Sequence, residues 1–242
     1  MEKMTIQKIR NRFEIIKNEI SQLVKDKYYF EKYQEHIERS KNVNKSNDFL
    51  FFIAKNYQVL AVVNVCKQVE GIKKRTKNNK NKNKNKNNNK NKKNEAESLV
   101  NLLQDIKKNK NIFHLNKFIK KYPKQMEYIA VVDFKQFSIN NKLLSCQKIN
   151  EDINKIRKAI RGLRFGTKRQ SIVSLAKYRN KRGAHFEKGK PKINVHVQDL
   201  YNAIDLLEQL VIKYNSLINQ SKIISLLTIE DENIQVDEIF KD

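Results

Sequence analysis

The sequence predicts an all-α fold, because apolar residues recur at helical spacing along most of the chain and helix breakers are scarce. Among 242 residues there are five glycines, two prolines and no tryptophan. A chain rich in Leu, Ile, Lys and Glu with so few breakers forms helices joined by polar loops. Sheet is not required to account for the pattern.

Taken in order, Ile9, Ile16, Leu23, Phe30 and Ile37 repeat every seven residues, with Ile6, Phe13 and Ile20 as a companion series. Residues 5–38 therefore read as one long amphipathic helix. Lys27 and Gln34 interrupt the companion series, which favours packing within a bundle over an autonomous coiled coil. Residues 44–48 carry turn and cap chemistry, after which Phe49, Phe52, Ile53, Leu60, Val63, Cys66 and Val69 form a wide apolar face. This second helix is expected to be the most buried in the protein, with Gly71 as its stop.

Helical spacing resumes over residues 95–107 through Leu99, Leu102, Leu103 and Ile106. A helix over residues 115–122 stops before Pro123. Residues 125–137 suggest another, although Ala130-Val131-Val132 is open to a strand reading. Residues 149–163 are amphipathic again, and residues 171–181 carry Ile172, Val173, Leu175 and Ala176 into a basic block. Leu200, Ala203, Ile204, Leu207, Leu210, Val211, Tyr214, Leu217 and Ile218 give the cleanest helical stripe in the chain.

The net charge of +25 points to a polyanionic partner. Every residue from 77 to 94 is Lys or Asn, a composition that builds no core, yet without its eight lysines the remainder still carries +17. Residues 72–94 read as a disordered low-complexity insertion within a single domain spanning residues 1–229, followed by an acidic tail over residues 230–242. The tract contains no aromatic residue to stack on bases, so it is not expected to be a dedicated single-strand platform. Cys66 and Cys146 lie in apolar segments without metal-type spacing and read as small core residues of a reducing compartment, with no metal site and no cofactor implied. The amino-terminal residues lack a signal-type apolar run, and the apolar segment 48–70 carries Lys55, Asn56, Gln58, Asn64 and Lys67. A cytoplasmic protein without a membrane span is expected.

The most informative stretch is Tyr178-Arg179-Asn180-Lys181-Arg182-Gly183-Ala184-His185. An arginine and a histidine brought to one phosphate suffice to cleave RNA. The imidazole moves a proton near neutral pH and the guanidinium holds the non-bridging oxygens as charge builds on them. On an unbroken helix Arg179 and His185 lie about 120° apart around the axis. Their cooperation needs a break at Gly183, a two-fold dimer that pools residues from two chains, or Arg182 in place of Arg179. Lys181 and Arg182, with Arg164, Lys168 and Arg169 upstream, are candidates to follow the RNA backbone, as are Arg157, Lys158 and Arg161. A structural alternative pairs Arg179 with Glu187 and leaves Asn180 on a helix terminus.

Arg179-Asn180 followed by four residues and His185 resembles the Arg-x(4 to 6)-His signature of HEPN domains, small all-α bundles that often act as metal-independent RNases in prokaryotic defence and toxin–antitoxin systems. The long first helix, the Phe-rich second helix, Ser98-Leu99-Val100-Asn101-Leu102-Leu103, and Leu175 through His185 are similar to the abortive-infection AbiU-like branch. So is Asp199 through Asp205, and the resemblance leaves out only the Lys/Asn tract and the acidic tail. It implies a HEPN-like bundle in which His185 is the acid/base, Arg179 the phosphate clamp and Asn180 the residue that orients them. It also implies a homodimer acting on RNA, with an antitoxin or defence protein as a further partner. HEPN toxins silenced by a nucleotidyltransferase commonly carry a tyrosine two residues after the histidine, where this chain has Glu187. The alternative function is a non-catalytic helical module that binds RNA, nucleotide or a partner protein.

Overall fold

A computed structural model of the chain describes residues 4–40, 48–69, 97–120, 123–138, 143–165, 168–169 and 196–227. The architecture is an all-α bundle with a long first helix. The helices are α1 (Ile6–Arg39), α2 (Asp48–Lys67), α3 (Leu99–Lys108), α4 (Leu115–Ile119), α5 (Glu127–Lys135), α6 (Cys146–Gly162) and α7 (Val197–Ile218). Helix starts follow local chemistry. Thr5, Ser98 and Ser145 each accept a hydrogen bond from the backbone N–H three residues on, which satisfies a donor the helix leaves free. The open Ala130-Val131-Val132 segment is helical, with Ala130 and Phe134 buried.

Helix α1 justifies its sequence pattern almost residue by residue. Ile9, Phe13, Ile16, Ile20, Leu23 and Phe30 are buried, and the two interruptions are the polar contacts to α7. Lys27 Nζ donates to Asp205 at 2.5 Å, and Gln34 Oε1 accepts from the Tyr201 hydroxyl at 3.2 Å. At the other end Arg10 donates to the carbonyl of Ile218, a cation on the free acceptors of a helix C-terminus. The order of these contacts makes α1 and α7 antiparallel. Helix α6 also runs against α7, with Asp152 at Lys213 and Tyr214 and Ala159 beside Ala203.

The most buried helix is α7, not α2. On α2 only Ala61, Val62, Val65 and Cys66 are buried, while Phe49, Phe52 and Leu60 of the expected apolar face stand outward, as does Phe51. The reason is size matching: α1 brings the large side chains to this contact, so α2 approaches with small ones. The amino-terminal half of α2 instead joins a second cluster, in which the Tyr57 ring stacks on Phe30 with centroids 4.1 Å apart and Tyr33 and Tyr201 close the group. By length and composition α2 is also the one helix among the described residues apolar enough to cross a membrane. Cys66 is buried as expected, whereas Cys146 is only half-buried at the first position of α6.

The interval that contains the Lys/Asn tract leaves and re-enters the bundle at one point. The Gln68 carbonyl accepts from Val100 N–H, and Gln68 Oε1 accepts from Leu99 N–H. Helix α3 is thus tied directly to the end of α2. Deleting residues 77–94 is therefore expected to leave the fold intact and to raise its stability by roughly 1 kcal/mol, since a shorter loop costs less entropy to close. Thermal unfolding followed by helical circular dichroism checks this; a chain that no longer folds would show that the tract belongs to the core.

Buried tyrosines give the bundle an alkaline limit. Burial raises the phenol of Tyr214, helped by the negative charge of Asp152, and burial likewise raises Tyr57, whose hydroxyl is buried without a hydrogen-bond partner. Tyr201 is pushed up to about 12, mainly by burial and then by Glu31. Raised folded values mean that the unfolded chain releases these protons first. Stability is therefore complete below about pH 10 and falls above it, Tyr214 alone contributing about 1.4 kcal/mol per pH unit. Phenolate absorbance and helicity should change together on alkaline titration, and Tyr214→Phe should soften the transition. Titration of all nine tyrosines near pH 10 with the helices intact would contradict it.

Candidate nucleic-acid interface

The catalytic candidates Arg179, Asn180 and His185, together with Lys181 and Arg182, lie outside the described residues. What the structure describes is the frame on either side of them. Upstream, α6 ends at Gly162, and Arg164–Phe165 (β1) pairs antiparallel with Lys168–Arg169 (β2), Arg164 opposite Arg169 and Phe165 opposite Lys168. The hairpin was not foreseen. Its signal is Phe165-Gly166-Thr167-Lys168, where a glycine sits in a two-residue connection of the kind that favours tight hairpins. The register brings Arg164 and Arg169, two of the RNA-binding candidates, to paired positions.

Downstream, α7 opens after His196, which occupies the cap position without a side-chain cap bond and is exposed. Because α6 and α7 are antiparallel, the last turns of α6 lie beside the first turns of α7. The interval 170–195, which holds the whole motif, thus connects a hairpin that leaves this end of the bundle to a helix that starts there. The carboxyl-terminal half of α1 and the amino-terminal half of α2 reach the same end through Phe30, Tyr33, Tyr57 and Tyr201.

A groove of about 370 Å³ runs between the two helices. Lys155 and Lys158 form one wall, Asp199 and Asn202 the other, and Ala159, Ala203 and Leu206 the floor. Lys155, Lys158 and Arg161 are exposed at three-residue steps, so one face of α6 carries a row of cations toward the hairpin. The positive end of the α7 dipole adds to this field, and Asp199 in its first turn partly offsets it. Sequence reasoning named Lys158 and Arg161 but missed Lys155 and the Asp199–Asn202 wall. The i, i+3 spacing before Lys158 was the available signal for the lysine. The wall follows only from the antiparallel pairing.

Below the groove Asp152 is almost fully buried, its side chain 2 % exposed. It accepts from Lys213 Nζ at 2.5 Å and from the Tyr214 hydroxyl at 3.0 Å, with Lys155 at 3.4 Å from its other oxygen. Lys213 also lies over the rings of Phe137 and Tyr214. Every polar atom of this network has a partner, so its chemistry is structural: it fixes α6 on α7 and thereby the width of the groove. Comparison with models of known protein families, with curated proteins and with solved structures gives no match.

Proposed function

We propose that this chain is a metal-independent endoribonuclease of the HEPN type, with His185 and Arg179 as its reacting pair. In the proposed chemistry His185 takes the proton from a ribose 2′-hydroxyl, and the 2′-oxygen attacks phosphorus. The bond to the 5′-oxygen breaks, and that oxygen takes a proton from water as it leaves. The products are a 2′,3′-cyclic phosphate and a 5′-hydroxyl. Arg179 holds the charge that builds on the non-bridging oxygens, and Asn180 orients the pair. The observation that carries the reading is the convergence of a cationic α6 face, a hairpin bearing Arg164, Lys168 and Arg169, and the start of α7 on the two ends of the motif interval. A substrate strand lying along Lys155, Lys158 and Arg161 would have its phosphates drawn toward that interval.

The rival reading, a non-catalytic module, takes support from the groove itself. Two lysines facing an aspartate and an asparagine over an apolar floor suit a nucleotide as well as a strand. In a cytoplasmic defence or toxin–antitoxin setting, an active chain would also need a silencing partner. Purified protein incubated with a tRNA mixture in the presence of EDTA separates the two readings. Fragments ending in cyclic phosphate support the nuclease; binding without cleavage supports the module.

A further inference from the structure

We propose that the groove between α6 and α7 binds a guanine nucleotide, with Asp199 and Asn202 reading the base and Lys155 and Lys158 holding its phosphate. At about 370 Å³ the groove falls within the range of small-molecule sites, and its floor of Ala159, Ala203 and Leu206 offers an apolar surface to the face of a base. Asp199 is half-buried on the opposite wall from the lysines, and Asn202 beside it is exposed.

The charges of the two walls call for a ligand between them. Lys158 and Asp199 line the same groove, yet no ion pair joins them, and neither side chain has a hydrogen bond or ion pair among the described residues. A carboxylate among cations opposes the binding of phosphate. It gains a use only where the ligand also presents hydrogen-bond donors, as a nucleotide does through its base. Bonds to an ionised acceptor are the stronger kind, so such donors would be read firmly.

The pattern of donors and acceptors selects the base. Both oxygens of ionised Asp199 accept and neither donates. Asn202 Oδ1 already accepts from Gln198 Nε2 at 3.0 Å, which leaves the Asn202 amide nitrogen, a donor, as its free group. The two residues are three apart on α7, so they stand roughly 5–6 Å from each other on one face, about the width of one base edge. The wall therefore reads acceptor, acceptor, donor. Guanine is its complement, because N2–H, N1–H and O6 follow one another along the Watson–Crick edge, an edge that single-stranded RNA leaves open to proteins. Uracil has one donor between two carbonyl oxygens, and adenine and cytosine set a ring-nitrogen lone pair beside the amino group. In each of these a carboxylate oxygen would face an acceptor.

Guanine binding rests on the reading of this groove as a nucleic-acid surface, and not on His185 or Arg179. The probe is therefore 2′-O-methyl RNA, which lacks the attacking hydroxyl and reads binding alone. Fluorescence anisotropy on the full chain should show a uridine heptamer with one central guanosine binding roughly tenfold tighter than heptamers with adenosine, cytidine or uridine at that place. Central 7-deazaguanosine should bind as guanosine does, because its Watson–Crick edge is unchanged, whereas inosine, which lacks the N2 amino group, should bind several-fold more weakly. Asp199→Asn should abolish the preference and bind the all-uridine heptamer slightly tighter, since a negative charge has left a cationic groove. An Asp199 that only supports the helix would instead weaken all heptamers alike. Asn202→Ala should reduce the preference by a few-fold, and circular dichroism should show the helices retained in both variants. If guanosine 5′-monophosphate matches the guanosine heptamer in affinity, the ligand is a free nucleotide; if the heptamer is tighter, it is a strand, and either result supports guanine. Equal affinity for the four heptamers, or preference for another base, overturns the guanine assignment while leaving RNA binding in place. A preference that survives Asp199→Asn overturns the role of Asp199. A chain that binds no heptamer at about 1 mM overturns guanine binding together with the nucleic-acid reading. Binding of the guanosine heptamer without cleavage of unmodified RNA counts against His185 and leaves guanine binding standing.

Discussion

His185→Ala is expected to lower RNA cleavage by roughly 100- to 10,000-fold while leaving RNA affinity within a few-fold of the parent, the range lost when a positioned acid/base is removed. On the proposed reading binding should persist, because it would come from phosphate contacts spread over the α6 face and the hairpin, whereas proton transfer would come from one imidazole. On the proposed chemistry the parent's rate should fall as pH is lowered, because a general-base imidazole loses activity on protonation. EDTA should not change it. His196→Ala is the control: this histidine is exposed at the start of α7, bounds the same interval and makes no cap bond, so its loss should matter little. Comparing Arg179→Ala with Arg182→Ala in the same assay identifies the phosphate clamp. If His196→Ala abolishes cleavage and His185→Ala does not, the reacting histidine has been misassigned. Equal products from parent and His185→Ala remove the catalytic claim.

The parts of the fold that were legible in the sequence are those where one face is apolar and the other is not. Helix α1 alternates so cleanly that even its exceptions, Lys27 and Gln34, mark where it meets the polar groups of α7. Helix α7 is read correctly for the same reason. Helix α2 is apolar nearly all round, and periodicity then cannot say which side is the core. The large phenylalanines suggested the wrong side, because burial there was decided by the bulk of α1 and not by the hydrophobicity of α2. The candidate site divides similarly. Its charge, its position after α6 and its place before α7 follow from sequence, but a groove between antiparallel helices joins residues more than forty apart, Lys155 with Asn202 among them. No local pattern encodes that pairing.

Asp152→Ala is expected to destabilise the bundle by roughly 3 kcal/mol, lowering the melting temperature by roughly 6–12 °C. Asp152 sits on the apolar side of α6 among Ile149, Ile153 and Ile156, where a carboxylate is costly unless its charge and lone pairs are met. Here Lys213, Tyr214 and Lys155 meet them. Removing the carboxylate leaves the fully buried Tyr214 hydroxyl without an acceptor and Lys213 without its counter-charge. The Lys213 side chain is 22 % exposed and can turn toward water, which keeps the loss at the lower end of that for a broken buried pair. Asp152→Asn retains an acceptor for Tyr214 and should cost about half as much; Tyr214→Phe, which loses a single hydrogen bond, should cost about 1 kcal/mol. The combined Asp152→Ala/Tyr214→Phe variant should be less unstable than the two losses added, because the orphaned hydroxyl is gone. Strict additivity, or an Asp152→Ala protein within about 1 kcal/mol of the parent, would mean that α6 and α7 are held by their isoleucines and leucines alone. The groove above would then owe its width to packing and not to this ion pair.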